Sequence, residues 1–290
     1  FSIFKDKEKL YEIKVNSDNN KDKFIKKIFL NNDCSKESLN HLYSFYSFLI
    51  FLPETERLLV SSPSFRRNFI DSFIFSKDNN YNKLINKYKR SILERGKILN
   101  FENYDSAWLD KLELDISKLG LEIYRLRKVQ VKAIHNQMFL LNKYEKLPFK
   151  LNIKLHDDYY TNYLDVEKYC EELKKTRNID KFQGGAKHGP HKSDYIFLIE
   201  EDFLASQLST GQQKTIILLL FLAQSNYLVR DCNLNPILLM DEICSHLDNI
   251  NRRLLLKIIE DFDLQIFMTG TNKELFSFLS TNTNFCNINN

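Results

Sequence analysis

The stretch 208–248 reads LSTGQQKTIILLLFLAQSNYLVRDCNLNPILLMDEICSHLD and decides the fold. It opens with a Ser-Thr-Gly turn before a long apolar run, and Gln212 stands three residues after Ser209, which is the spacing of a helix capping box. A second apolar run, 236–240, ends in two acidic residues and is typical of a strand buried on both faces. The sequence therefore predicts a helix N-terminus and a strand C-terminus, both of which bind ligands in α/β proteins.

The Ser-Thr-Gly turn has the chemistry of an anion site. Free backbone amides and partial positive charge at a helix N-terminus attract phosphate, and Gly211 lets the backbone approach an anion without a side chain in the way. A plain helix cap is the alternative, but the acids at the end of the next strand favour a nucleotide site. The predicted nucleotide contacts are Ser209, Gly211, Gln212, Gln213 and Asp248.

The acidic pair supplies the complementary chemistry. Asp241 is the predicted Mg²⁺ ligand, because a hard cation prefers oxygen atoms. Glu242 is the predicted catalytic residue, which would orient and polarise an attacking water. The implied cofactors are ATP and Mg²⁺, and an exposed acidic turn is the alternative.

A Walker A loop, G-x-x-x-x-G-K-[ST], is absent from the sequence. Among seven glycines, only Gly184 and Gly189 have the right spacing, and Pro190-His191 follows them in place of Lys and Ser/Thr. Proline also removes an amide that a phosphate cradle would use. Because the chain begins with Phe1 in a strand-like stretch, we interpret it as an N-terminally truncated sequence. The coding sequence upstream of Phe1 would distinguish truncation from decay.

Composition narrows the class of protein. The chain has 290 residues, 43% hydrophobic and 28% charged, and a net charge of +4, so any nucleic-acid contact must come from local clusters. No apolar run reaches the roughly 18 residues of a membrane span, and the five cysteines are scattered. We expect a cytoplasmic protein without a membrane partner.

Hydrophobic periodicity predicts three regions along the chain. Strand patterns fill much of 1–52, which we assign to the remainder of an N-terminal ATPase lobe. Helical patterns fill 53–182, including 81–100, 108–119 and 121–144, and suggest an arm folded back as a hairpin. Residues 183–290 read as a polar loop, a strand at 195–199 and then a parallel βαβ unit, with a helix at 251–262 and a strand at 265–269.

Basic residues cluster on the predicted arm. Arg125, Arg127, Lys128 and Lys132 share one helix. A row of cations suits DNA phosphates, and a solvated helix face is the alternative. The candidate DNA contacts are Lys87, Lys89, Arg90 and Arg95.

These motifs together resemble the RecF family of bacterial DNA replication and repair proteins. The similar segments are 208–214, 236–242, 245–248, the Gly-Pro-His loop 189–194 and the stretch 62–71, SPSFRRNFID. The resemblance implies an α/β fold: an ABC-ATPase head of the SMC/RecF type with an inserted α-helical arm. It separates the chain from ABC transporters, which lack the arm and the Gly-Pro-His loop.

The same resemblance implies a function in recombinational gap repair and replication-fork maintenance. Family members form an ATP-dependent head-to-tail homodimer, bind single-stranded and gapped duplex DNA, and assist RecA loading with RecR and RecO; DNA recombination and the SOS response follow as contexts. An SMC-type chromosome ATPase and an inactive, decayed RecF are the alternatives, and an SMC protein would need much longer heptad arms. Without Walker A, the chain as given is not expected to hydrolyse ATP.

Overall fold

The computed structural model describes residues 2–6, 9–20, 23–44, 46–144, 147, 150–160, 164–244, 248–260, 264–279 and 283–287. Contacts divide the chain into a unit Phe1–Ser47 and a unit Phe48–Asn290. The domain boundaries predicted at 52 and 182 stay predictions. No helix within the described ranges is long and apolar enough to cross a membrane.

The first unit is an antiparallel three-stranded sheet followed by a helix. Its elements are β1 (Ser2–Asp6), β2 (Lys9–Asn20), β3 (Lys23–Leu30) and α1 (Lys36–Ser44). Tyr11 and Leu30 are buried and form its small core. The strands predicted from alternating apolar residues at 11–15 and 24–30 are confirmed.

The second unit holds the candidate sites. Its strands are β4 (Phe48–Phe51), β5 (Leu151–His156), β6 (Asp194–Ile199), β7 (Phe203–Leu204), β8 (Ile237–Met240) and β9 (Ile266–Met268). Its helices are α2 (Pro63–Lys77), α3 (Asn80–Leu99), α4 (Ser106–Tyr144), α5 (Val166–Asp180), α6 (Thr210–Asn226) and α7 (Asn249–Glu260).

A parallel sheet carries the acidic pair. Its order is β4-β8-β9, with β8 hydrogen-bonded in parallel to both neighbours. The connection from β8 to β9 runs through α7, so the predicted βαβ unit is confirmed. Since the strands are parallel, their carboxyl ends meet at one edge of the sheet, where β8 delivers Asp241 and Glu242.

Helix α6 packs inside the main hydrophobic core. Every residue from Gln213 to Asn226 is buried, which explains why this run is apolar all round and not amphipathic. Strands β5, β6 and β7 form a second, antiparallel sheet, and the strands predicted at 151–155 and 195–199 are confirmed. The burial of α6 fixes the position of its N-terminus, where Ser209 lies.

The helical arm differs from its predicted form. We expected separate helices at 108–119 and 121–144, but α4 is one helix of 39 residues that continues through Gly120. A Cβ on Gly120 would lie 2.7 Å from Tyr169 Cε1 and 3.3 Å from Tyr88 Cε2. The glycine therefore marks a close approach of α3 and α5 to α4 and not a helix end. Helices α3, α4 and α5 enclose a separate hydrophobic cluster.

Candidate nucleotide-binding and DNA-binding sites

Asp241 lies at the carboxyl edge of the parallel sheet. Its backbone amide donates to Phe51 O over 2.9 Å, and the Thr269 amide donates to Met240 O over 3.0 Å. These bonds extend both strand pairings by one residue beyond β8 and hold the acidic pair beside the ends of β4 and β9. The side chain of Asp241 is partly exposed and that of Glu242 is exposed, so both carboxylates are open to a ligand.

Thr269 connects the two acids. Its hydroxyl donates to Asp241 Oδ1 through a short hydrogen bond and accepts from the Glu242 amide over 3.1 Å. Glu242 has φ of +50°, in the left-handed region that non-glycine residues rarely adopt and that often coincides with function. The two bonds of Thr269 join segments that are far apart in sequence, so local spacing does not predict them.

The N-terminus of α6 has the geometry that the motif predicts. Ser209 Oγ accepts from the Gln212 amide over 3.3 Å, and the Gln212 side chain accepts from the Ser209 amide over 3.1 Å. The predicted capping box is confirmed. Ser209, Gly211 and Gln212 remain at least partly exposed, so an anion can reach this helix end.

Gln213 has a structural role within the same turn. Its side chain is buried, and Nε2 donates to Ser206 O over 3.2 Å and to Leu208 O over 2.8 Å. Because the side-chain amide nitrogen is occupied by the preceding loop, we assign Gln213 to positioning the turn. The next residue, Lys214, is also buried and pairs with Glu56 over 2.6 Å.

Asp248 lies beside the α6 turn. Its Oδ1 accepts from the Asn251 amide over 2.8 Å and caps α7, and its Oδ2 lies 3.8 Å from the position of a Cβ built on Gly211. Asn251 is buried and accepts from Thr215 Oγ1 over 2.9 Å. The structure thus unites Ser209, Gly211 and Asp248 in one group, while residues 245–247, the rest of the RecF-like segment 245–248, lie outside the described part.

The basic residues predicted on α3 divide into two sets. Lys87, Lys89 and Arg90 are exposed. Arg95 is fully buried: its Nε donates to Glu113 over 2.9 Å and its Nη1 to Asp180 over 2.8 Å, with further bonds to backbone carbonyls. The prediction that Arg95 contacts DNA is wrong, because its guanidinium ties α3 to α4 and α5. Helical spacing alone placed it on the basic face.

Arg127, predicted on the basic face of the long helix, is also buried. It forms a bidentate pair with Asp71, both bonds being 2.8 Å, and Nη1 donates to Pro190 O over 2.6 Å. Arg125 is exposed and pairs with Glu122 over 2.6 Å. Of the four cations predicted on α4, Arg127 therefore stabilises the fold and Arg125 forms a surface ion pair.

The Gly-Pro-His loop packs against the arm. His191 Nε2 lies 3.1 Å from Ala186 O, which can only accept, so Nε2 carries the proton and Nδ1 accepts from Tyr88 OH over 2.8 Å. Burial lowers the pKa of His191 to about 4. Among the described residues, no group of three or more His, Cys, Asp or Glu side chains is placed to hold a metal ion.

These features define the head of an ABC-type ATPase with a helical arm. They are a parallel sheet with acids at its carboxyl edge and a capped glycine turn beside an acidic helix cap. No family model matches the chain. The chain is similar to the DNA replication and repair protein RecF of Rickettsia massiliae, with 30% identity over 243 residues, covering 83% of this chain and 68% of the relative. The RecF of Rickettsia canadensis is 32% identical over 246 residues, with coverage of 83% and 68%. The chain belongs to the RecF family.

Solved structures agree on the fold. The recombination mediator protein RecF-ATPrS in the RecFOR pathway superimposes with a TM-score of 0.73 at 22% identity, covering 91% of this chain and 76% of that one. The RecF-ATP structure of the same pathway gives 0.71 at 24% identity, with coverage of 87% and 69%. The RecF fold, an ATPase head with a helical arm, is therefore that of this chain.

Proposed function

We propose that this chain acts as a RecF-type ATP-dependent DNA-binding protein in recombinational gap repair. The observation that carries the proposal is the pair of groups on one head: Ser209, Gly211 and Asp248 at the α6 turn, and Asp241 with Glu242 at the sheet edge. Each group has the chemistry for one side of a nucleotide. The RecF-ATP and RecF-ATPrS structures support ATP as the nucleotide.

The two groups have separate roles in this proposal. Asp241 holds Mg²⁺ and Glu242 orients the attacking water, with Thr269 fixing both. Ser209 and Gly211 present the N-terminus of α6 to the γ-phosphate of a nucleotide bound by a second protomer, in an ATP-dependent homodimer. Each composite site also needs a phosphate loop, which this sequence does not contain.

DNA binding is proposed for the exposed side of α3. Lys87, Lys89 and Arg90 lie within about one turn of α3 and are exposed, and a cluster of cations can replace counterions along a phosphate backbone. We propose single-stranded and gapped duplex DNA as the ligand, and RecR, RecO and RecA as the proteins with which the complex acts. The RecFOR pathway of the solved relatives supports RecO and RecR as partners.

Charge reversal on α3 tests the proposed DNA face. The double variant Lys87→Glu/Arg90→Glu should weaken binding of a gapped duplex at least tenfold and lower the slope of log K against log salt by about 2, since each phosphate contact contributes about 0.9. Fluorescence anisotropy across a salt series measures both. The matched control is Lys175→Glu, an exposed lysine on α5. An equal effect of the control would remove α3 from the DNA interface.

A further inference from the structure

A groove runs between α2, α3 and the Gly-Pro-His loop. Its inner part has a volume of about 70 Å³ and its outer part about 220 Å³. Because roughly 10–15 Å³ admits one water, the inner part has room for a tetrahedral oxyanion. The polar residues that line it include Ser64, Arg67, Asn68, Asp71, Lys89 and His191.

Two cations of the groove, Arg67 and Lys89, pair with no carboxylate in the part of the chain that the structure describes. The neighbouring Arg66 pairs with Asp194 over 2.7 Å, and the buried arginines Arg95 and Arg127 also pair with acids. Arg67 instead bonds to a neutral group, since its Nη1 donates to Ser193 O over 2.5 Å. Among the described residues, no carboxylate lies within ion-pair distance of Arg67 or Lys89. The groove therefore has two cations whose charge is available to a ligand.

The other ionisable groups of the groove do not cancel this charge. Asp71 uses both oxygens on Arg127 and accepts a further bond from Tyr81 OH over 2.7 Å. His191 is neutral at pH 7, because burial lowers its pKa to about 4. The remaining positive charge of the groove belongs to Arg67 and Lys89.

The environment of Arg67 disfavours the charged form of its guanidinium. Burial lowers the pKa of the Arg67 guanidinium, and the charge of Arg127 lowers it further, while Asp194 and Asp71 act in the opposite direction. An anion in the groove would act against this lowering of the Arg67 pKa, since an opposite charge stabilises a partly desolvated cation. The first turn of α2, which contains Ser64, adds partial positive charge and a hydroxyl donor at the rim.

We propose that this groove is a phosphate-binding site, in which Arg67 and Lys89 hold a backbone phosphate of bound DNA and Ser64 and Asn68 donate to its oxygens. The identity of the ligand rests on the proposed DNA binding. Arginine suits the inner position because its planar fork binds two phosphate oxygens, and lysine at the rim acts as a point charge. The site would place DNA across the joint between arm and head, next to the Gly-Pro-His loop.

The test compares three single charge removals in the full 290-residue chain. Arg67→Gln and Lys89→Gln should each weaken DNA binding about five- to tenfold and lower the salt slope by about 1. The control Lys97→Gln removes an exposed lysine two turns further along α3 and should change affinity less than twofold. Urea unfolding of each variant verifies the fold. Equal losses in all three variants would overturn the proposal, since bulk charge would explain them.

A second measurement separates this inference from the proposed function. Inorganic phosphate at millimolar concentration should raise the melting temperature of the wild-type chain more than chloride of equal ionic strength does, and Arg67→Gln should abolish the difference. If DNA does not bind but this difference is present, the groove is an oxyanion site and the DNA proposal fails. If DNA binds and neither Arg67→Gln nor phosphate has an effect, the groove proposal fails and DNA binding stands.

Discussion

Arg95 shows at the residue scale how a cation on a basic helix can belong to the core. Its guanidinium is shared by Glu113 and Asp180, and Arg177 also bonds to Glu113, so one buried network joins three helices. We expect Arg95→Met to lower the free energy of unfolding by about 3–5 kcal/mol, because two buried carboxylates lose a partner. Urea unfolding measures the loss.

The matched control for this prediction is Arg90→Met, an exposed arginine on the same helix. It should change the free energy of unfolding by less than about 0.5 kcal/mol. A stable Arg95→Met protein that has lost only DNA binding would return Arg95 to the DNA interface.

Glu242 is the second residue considered at this scale, because its backbone conformation affects stability. Its φ of +50° is unfavourable for an L-residue with a side chain. We expect Glu242→Gly to be more stable to urea than Glu242→Ala by about 1 kcal/mol, since glycine adopts the left-handed region without a Cβ clash. The comparison removes the carboxylate in both variants and so isolates the backbone. Equal stabilities would mean that Glu242 carries no backbone strain.

Helix α4 illustrates the element scale, because a glycine inside it decides how the arm packs. An alanine at Gly120 would gain about 0.5–1 kcal/mol of helix propensity, but its Cβ would meet the Tyr169 ring at 2.7 Å. Overpacking of this kind costs about 1–3 kcal/mol. We therefore expect Gly120→Ala to destabilise the chain by about 1 kcal/mol or more in urea unfolding.

Gly211→Ala is the control for the same change in another helix. The nearest atom to its Cβ would be Asp248 Oδ2 at 3.8 Å, an ordinary contact. Stability should stay constant or rise by up to about 1 kcal/mol, since the alanine gains helix propensity and meets no clash. Similar losses at Gly120 and Gly211 would show that the Tyr169 contact is not the cause.

At the scale of the whole molecule, the chain presents two groups that each complete only part of a nucleotide site. As a purified 290-residue protein it should show no Mg²⁺-dependent ATP turnover above background, because no phosphate loop holds the β- and γ-phosphates. A coupled phosphate-release assay measures this. Turnover that Glu242→Gln abolishes would contradict the assignment.

A fusion protein that carries a phosphate loop tests the same nucleotide site. When the phosphate-loop segment of a RecF relative is joined to the N-terminus, ATP should produce a dimer that Glu242→Gln traps, because hydrolysis rather than nucleotide binding is lost. Gly211→Ala should weaken this dimer without affecting the fold. Size-exclusion chromatography with light scattering measures the dimer, and a Glu242→Gln fusion that stays monomeric with ATP would contradict the composite site.

The sequence by itself determined the features that depend on local pattern. The Ser209 capping box, the apolar helix after it, the buried strand ending in Asp241 and the βαβ connection all follow from short-range spacing, which fixes hydrogen-bonding and burial within an element. The family also follows from its motifs, since each motif is a short continuous segment of the sequence.

Only the tertiary structure decided which polar side chains are available. The sequence predicts Arg95 and Arg127 as surface cations, but both are buried and paired with carboxylates from distant segments. Thr269 joins the acids across a strand pairing, and Gly120 allows three helices to meet where the sequence suggests a helix break. The physical reason is common to these cases: burial and ion pairing depend on residues brought together by packing, and no local spacing in the chain specifies them.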